Sequence, residues 1–196
     1  MPCPEKFAES LVRFNVEQDI IDEIFDGYTN IVSKTPKKKK AVFFKRAIDI
    51  LDEKVDNNTV RSLLEWNACC KTGARAKASK EFARINANLT LEEKLNKIRK
   101  AGYMNMGEPW LAGDDTLRIN AVSYLYNGRY ECGCSNFRRL KRDYPVSRSY
   151  CYCCGGHFKY HYEIMLGVKL ELQDVVSSPL DSEGKNPCVF TYKIIR

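Results

Sequence analysis

The chain has 196 residues, of which 44% are hydrophobic and 11% aromatic, with 11 glycines and 7 prolines. This composition predicts an ordered globular chain with a substantial core and excludes the fibrous and disordered classes. No stretch reaches the about 18 consecutive apolar residues that a membrane span needs, so we expect a cytoplasmic protein. In that reducing compartment its nine cysteines are expected to be metal ligands, reactive thiols or small core residues rather than disulfides.

The formal net charge of +7 would suit an acidic partner. Much of the charge lies in three basic runs, residues 37–40, 75–80 and 138–142. Runs of this kind usually form solvated helix faces, and no basic groove with interleaved aromatic residues stands out. We therefore favour solvated faces over binding to nucleic acid or to a membrane.

The first half of the chain has helical periodicity. Apolar residues spaced by three and four predict helices over 4–25, 36–55, 59 into 69–70, and 73–85. Asn57 and Asn58 are expected to end the second of these helices. Thr90 and Glu93 form a capping box that predicts a further helix through Leu91 and Ile98.

The pattern changes after Gly102, where the segment 102–115 is rich in turn-forming residues. Beyond it, alternation predicts a strand over 117–121 and two more in VKLELQDVV and CVFTYKII, which we expect to pair antiparallel. A helix is predicted directly before these last two strands, over 156–166. The sequence therefore predicts an α+β fold in which a helical part, residues 1–101, packs on a C-terminal part, residues 102–196, with an antiparallel sheet and helices.

Five cysteines lie in two short segments, ECGCSNF and SYCYCCGGH. Tetrahedral zinc takes four thiolate or imidazole ligands, and closely spaced cysteines can supply two of them from one turn. We expect Cys132, Cys134, Cys151 and Cys154 to bind zinc, although the gap of one between the first two is tighter than usual. Reduced functional thiols, activated by the following helix N-terminus, and simple buried residues are the alternatives.

The two histidines of the chain, His157 and His161, directly follow these cysteines. Their spacing of four places both on one helical face. His157 could complete the zinc site, or it could serve as an acid or base beside a cysteine nucleophile, for which Cys153 is the candidate. Cys69 and Cys70 form a second pair; one is expected in the core, and the other could approach the main cluster.

The C-terminal third carries a further pattern: CYCCGG over 151–156, a helix, LGVKLELQDVVSS, and EGKNPCVFTYKI. This resembles the vinyl-four-reductase type domain, a small-molecule and hydrocarbon-binding module, and is similar to bacterial cysteine-rich relatives and the thiazoline-carboxylate hydrolases. Gly184, Cys188 and Phe190 stand at positions of its terminal element. Ser177 and Ser178 stand where that family often has a cysteine.

The resemblance implies an antiparallel sheet backed by helices, a ligand pocket between them, and zinc bound by cysteines. Five aromatic residues would suit the wall of such a pocket or a plain core: Tyr150, Tyr152, Phe158, Tyr160 and Tyr162.

Three functions follow from these observations. The first is a sensor-like module that binds a small apolar or amphipathic ligand beside the zinc. Such a module is compatible with a homodimer. The second is a small hydrolase that uses a metal-bound water or a cysteine nucleophile with His157. The third is a zinc-containing nucleic-acid-binding protein that uses the basic residues of 138–142.

Overall fold

The computed structural model describes residues 3–69, 71–101 and 106–195. These residues form an α+β fold, as predicted, with a helical first half and an antiparallel sheet in the second half. The α-helices are α1 (Pro4–Arg13), α2 (Gln18–Phe25), α3 (Lys37–Lys54), α4 (Asn57–Trp66), α5 (Gly73–Ile85), α6 (Leu91–Ala101) and α7 (Tyr152–Leu166). The strands are β1 (Glu108–Leu111), β2 (Thr116–Val122), β3 (Leu125–Tyr126), β4 (Arg129–Tyr130), β5 (Lys169–Ser177) and β6 (Cys188–Ile195).

The prediction of one helix over 4–25 is wrong, because the chain turns between α1 and α2. Asn15 adopts a left-handed conformation with φ of 54°, which asparagine tolerates better than most residues. The backbone N–H of Val16 then bonds the carbonyl of Leu11 and closes the turn. Each of the two short helices buries its own apolar residues in the common core.

The boundary between α3 and α4 also differs from the prediction. The side chain of Asp56 accepts hydrogen bonds from the backbone N–H groups of Asn58 and Thr59, at 3.1 and 3.0 Å. This is an N-cap, and it starts α4 at Asn57 instead of letting the two asparagines end α3. The predicted capping box of α6 is confirmed: the N–H of Glu93 bonds the Thr90 hydroxyl, and the carboxylate of Glu93 accepts the N–H of Thr90.

The main sheet has the strand order β1-β2-β6-β5, and all its pairs are antiparallel. The predicted pairing of the last two strands is confirmed, with Lys169 opposite Ile195 and Val175 opposite Phe190. Strand β2 alternates buried and half-buried residues as predicted. Strand β1 lies within the segment predicted as turn-rich, of which residues 102–105 fall outside the described part.

Helix α7 lies between the sheet and the N-terminal helices. On one side Phe158 contacts the ring of Phe190 on β6, and the hydroxyl of Tyr192 donates to the carbonyl of Gly155. On the other side α7 packs against α4 and α5. The helix begins at Tyr152, four residues earlier than predicted, so that Cys153 and Cys154 belong to its first turn.

Gly156 allows α7 to approach α4 closely. A Cβ atom at this position would lie 2.8 Å from the carbonyl oxygen of Glu65 and 2.9 Å from its Cα atom. Any side chain here would therefore push the end of α4 away from α7.

No helix in the described ranges is long and apolar enough to cross a membrane.

Candidate functional site

The cysteines predicted to bind zinc lie in the buried junction between the loop after β4, the start of α7 and the start of β6. Cys132, Cys134 and Cys151 are buried there, together with Cys188 at the first position of β6. Cys154 is half-buried in the first turn of α7. Sequence reasoning placed Cys188 in a strand but did not assign it to this cluster.

The thiols of this cluster bond to different partners. The sulfur of Cys134 lies 3.1 Å from the hydroxyl of Tyr150, and that of Cys151 donates to the hydroxyl of Ser178 at 3.2 Å. The Tyr150 hydroxyl also accepts a hydrogen bond from the amide of Asn136 at 3.0 Å. These bonds join the loop after β4 to the start of α7 through side chains that are all buried.

The protonation of the cluster follows from burial and from one thiol pair. A hydrogen bond from Cys132 lowers the pKa of the Cys134 thiol to about 7, and the same bond, followed by burial, raises the pKa of Cys132. Burial also raises the pKa values of Cys151 and Cys188. Cys134 is therefore the member of this pair that ionises first.

No group of three or more histidine, cysteine, aspartate or glutamate side chains within the described ranges is arranged to hold a metal ion. The bonds of Cys134 to Tyr150 and of Cys151 to Ser178 direct these sulfurs to separate protein groups. This arrangement does not support a zinc ion bound by these thiols. The zinc site stays a prediction from the sequence.

His157 belongs to a second centre, between α7 and the segment that joins α4 to α5. Its Nδ1 atom lies 2.8 Å from the carbonyl oxygen of Cys69, and its Nε2 atom lies 3.0 Å from Nη1 of Arg75. The imidazole also lowers the pKa of the Cys69 thiol. The sequence did not indicate this grouping, because 88 residues separate Cys69 from His157.

The two ring nitrogens of His157 have different roles in this arrangement. A guanidinium can only donate, so Nε2 accepts the hydrogen bond from Arg75 and carries no proton. The proton then lies on Nδ1, which donates to the carbonyl of Cys69. The ring is therefore held in one orientation beside Cys69.

Cys69 is half-buried, and its thiol is acidic. Burial raises its pKa, but the hydrogen bond with His157 and nearby positive charge outweigh burial and lower the pKa from 9.0 to about 6. A thiol with this pKa is mostly thiolate at neutral pH, and the thiolate is the nucleophilic form. Among the described cysteines, Cys69 alone combines an imidazole partner with partial exposure.

Neighbouring residues hold both halves of this centre in place. Asn67, buried after α4, donates to the hydroxyl of Ser10 at 2.7 Å and to the carbonyl of Leu63 at 2.9 Å. The ring of His161 lies 4.7 Å from that of His157, and its Nδ1 atom lies 2.9 Å from the hydroxyl of Ser79 on α5. The predicted shared face of the two histidines is thus present, and it faces α5.

Cys153, the nucleophile suggested by the sequence, is fully buried. A hydrogen bond with Cys154, together with burial, raises the pKa of its thiol. A buried thiol that stays protonated is a poor nucleophile. The geometry therefore favours Cys69 over Cys153, while Cys70 lies outside the described residues.

The aromatic residues considered for a pocket wall serve mainly as core. Tyr150, Tyr152, Phe158 and Tyr162 are buried, and the hydroxyl of Tyr162 donates to the carbonyl of Met106 at 2.9 Å. A cavity of about 220 Å³ lies instead at the edge of the cysteine cluster, with Cys132 in its wall. Charged side chains of both signs line this cavity: Arg129, Glu131, Lys141, Arg142, Asp143 and Glu183.

The basic run over 138–142 is divided between two tasks. The guanidinium groups of Arg138 and Arg139 lie over the rings of Tyr124 and Tyr126, at 5.8 and 4.9 Å. Arg142 donates to the backbone carbonyls of Tyr144 and Pro179 and so binds two loops together. Nucleic-acid binding by this run stays a prediction.

Replacing Tyr150 with phenylalanine is expected to destabilise the protein. The change removes the hydroxyl that accepts from Asn136 and contacts the sulfur of Cys134, both of them buried. Loss of a buried hydrogen-bond partner typically costs about 1–3 kcal/mol. Urea denaturation measures the loss, and Tyr126→Phe on the exposed β3–β4 hairpin serves as control. Equal stability of the two variants would show that the bonds of Tyr150 do not hold the cluster together.

Comparisons of this chain with family models, with curated proteins and with solved structures find no match. The resemblance to the vinyl-four-reductase type domain therefore stays a prediction.

Proposed function

We propose that this protein is a thiol-dependent hydrolase in which Cys69 is the nucleophile and His157 its acid–base partner. The observation that carries the proposal is the 2.8 Å contact of the His157 imidazole with the backbone carbonyl of Cys69, beside a thiol whose pKa the ring lowers. The proposal keeps the predicted role of His157 and assigns the role of nucleophile to Cys69 in place of Cys153.

Nucleophilic catalysis by cysteine needs a thiol, a base within hydrogen-bond reach and a third group that orients the base. Cys69 and His157 supply the first two. The backbone carbonyl of Cys69 supplies the third, because it accepts the Nδ1 proton and so fixes the ring and the tautomer of His157. The groups come from two positions, the segment after α4 and the first half of α7.

The reaction these groups can perform is acyl transfer to water. The Cys69 thiolate attacks the carbonyl carbon of an ester, thioester or amide, forming a C–S bond as the bond to the leaving group breaks. The leaving group takes the bonding electron pair and a proton from solvent. Water then attacks the thioester and gives a proton to Nε2 of His157, and the thiolate leaves with the C–S electron pair.

The test uses p-nitrophenyl acetate, an activated ester that needs no specific pocket. The protein is expected to release p-nitrophenol in a burst of about one equivalent per chain, followed by slower turnover, as acyl-enzyme formation requires. Cys69→Ala should remove the burst at pH 7, and His157→Leu should slow the burst and remove the turnover that follows it. Cys154→Ala, which removes another half-buried thiol near the start of α7, should keep both. A full burst from Cys69→Ala would exclude Cys69 as the nucleophile.

The small-molecule-binding function expected from the sequence is the second candidate. The cavity of about 220 Å³ beside Cys132 supports it, although its charged lining suits a small polar ligand better than an apolar one. The two candidates separate on one variant. Cys69→Ala should remove ester turnover and leave binding at the cavity unchanged.

A further inference from the structure

We infer that the Cys69 site takes a substrate with an anionic group, a carboxylate or a phosphate, that binds Arg75 next to the reacting carbon. This inference rests on the proposed function and names the substrate class of the same site. It is carried by the positive charge beside His157, of which Arg75 is the part in direct contact with the imidazole.

Arg75 is the nearest part of that charge. It is half-buried in the first turn of α5, and its Nη1 atom reaches Nε2 of His157. Within the described ranges it makes no ion pair with a carboxylate, and its other N–H donors are available to a ligand. A guanidinium binds a carboxylate or phosphate through two parallel hydrogen bonds, which suits it to select an anionic substrate.

Lysines add to the charge on this side of the molecule. Lys71, two residues after Cys69, is half-buried, and burial followed by the nearby charge of Lys6 lowers its pKa. The acidic residues near Lys71 are engaged elsewhere. Glu65 pairs with Lys159 at 2.9 Å, and the carboxylate of Glu163 accepts the backbone N–H of Leu170. An anion bound between Arg75 and Lys71 would balance the excess.

Binding of an anion to Arg75 would also prepare His157 for catalysis. Nε2 is the unprotonated nitrogen of His157, and Arg75 occupies its lone pair in this structure. When Arg75 turns to the substrate anion, Nε2 becomes free to accept a proton from the water that attacks the thioester. The correct substrate would thus release the base that its own hydrolysis needs.

Two alkylating reagents that differ in charge test the inference. Iodoacetate and iodoacetamide react alike. The thiolate sulfur forms a bond to the CH₂ carbon of the reagent, the carbon–iodine bond breaks, and iodide leaves with the electron pair. The ratio of the two rates at Cys69 cancels the thiolate fraction and reports the local charge. Labelling is measured by mass spectrometry of the peptide that contains Cys69. Cys70 is replaced by serine in all chains, so that Cys69 is the one thiol of that pair. The iodoacetate to iodoacetamide rate ratio is then divided by the same ratio for glutathione.

Arg75→Gln is expected to lower the iodoacetate to iodoacetamide ratio by about three- to tenfold, the effect of removing one nearby charge in a mostly aqueous setting. Arg75→Lys should keep most of the ratio, and so confirm the charge in a second variant. Arg84→Gln, on the same helix but paired with Glu81, should leave the ratio unchanged.

A ratio at Cys69 that equals that of glutathione and does not change in Arg75→Gln would overturn the inference and leave the nucleophile proposal standing. Failure of Cys69 to react with either reagent would overturn the proposed function, and the inference with it.

Discussion

Alkylation of Cys69 by iodoacetamide is expected to be half-maximal near pH 6 and nearly constant between pH 7 and 8. The lowered pKa means that the thiolate persists from high pH down to about pH 6 and is protonated below it. An ordinary thiol with a pKa of 9.0 would instead gain reactivity through this range, because its thiolate fraction rises with each pH unit.

The absolute rate at pH 7 is a weaker indicator than the pH profile. A pKa lower by about three units gives about a hundredfold more thiolate at pH 7, but it makes that thiolate about twentyfold less nucleophilic. The net gain is only several-fold. The midpoint of the profile is therefore the quantity to measure.

Two substitutions of His157 give this prediction its control. His157→Leu removes the imidazole that lowers the pKa of Cys69 and should raise the midpoint by at least about one pH unit. His157→Asn places an amide N–H close to the position of Nδ1 and should raise it less. A midpoint near pH 6 in His157→Leu would show that His157 does not activate Cys69.

Replacing Gly156 with alanine is expected to destabilise the protein and also to raise the pH midpoint for alkylation of Cys69. The added Cβ would lie 2.8 Å from the carbonyl of Glu65 and 3.1 Å from the Cβ of Ala68, so the end of α4 must move. Overpacking of this kind costs about 1–3 kcal/mol, against a gain of about 1 kcal/mol from the better helix propensity of alanine. The movement separates Cys69 from His157, so the midpoint of alkylation should also rise.

Gly155→Ala is the matched control, one residue away on the same helix. Its Cβ would meet the Cδ2 atom of Leu172 at 2.6 Å, the far end of a side chain that can change rotamer. We expect a smaller loss of stability in urea and no change in the midpoint for Cys69. If Gly156→Ala alkylates with the same midpoint as the unchanged chain, close packing of α4 on α7 is not what positions His157.

The elements that local chemistry determines could be predicted from the sequence. Alternating residues in 168–176 and 188–195 gave two strands that pair as expected, and the Thr90–Glu93 capping box begins α6. The break at Asn15 was missed because the apolar spacing continues across it. Strand β1 was missed because its pairing with β2 comes from the sheet, while its own sequence reads as a turn.

The candidate site could be predicted only in part, because sequence neighbours on a helix need not face the same partner. His157 follows Cys154 by three residues, yet it faces Cys69 and α5, while Cys151 bonds Ser178 after β5. The sequence thus singled out His157 but grouped it with Cys151 and Cys154, whereas in the structure the ring contacts Cys69. Cys69 was noted only as half of a pair with Cys70, and Arg75 only as part of a basic run, since only the packing of α4 and α5 on α7 brings them to the imidazole.

The central claim is that Cys69 forms the covalent bond with the substrate. Its most direct test is peptide mass analysis of the protein quenched during the burst with p-nitrophenyl acetate. An acetyl thioester is expected on Cys69, where it disappears as turnover proceeds, and it is expected to be absent from Cys69→Ala. Acetyl groups found only on other residues, or an acetyl group on Cys69 that is never hydrolysed, would contradict it.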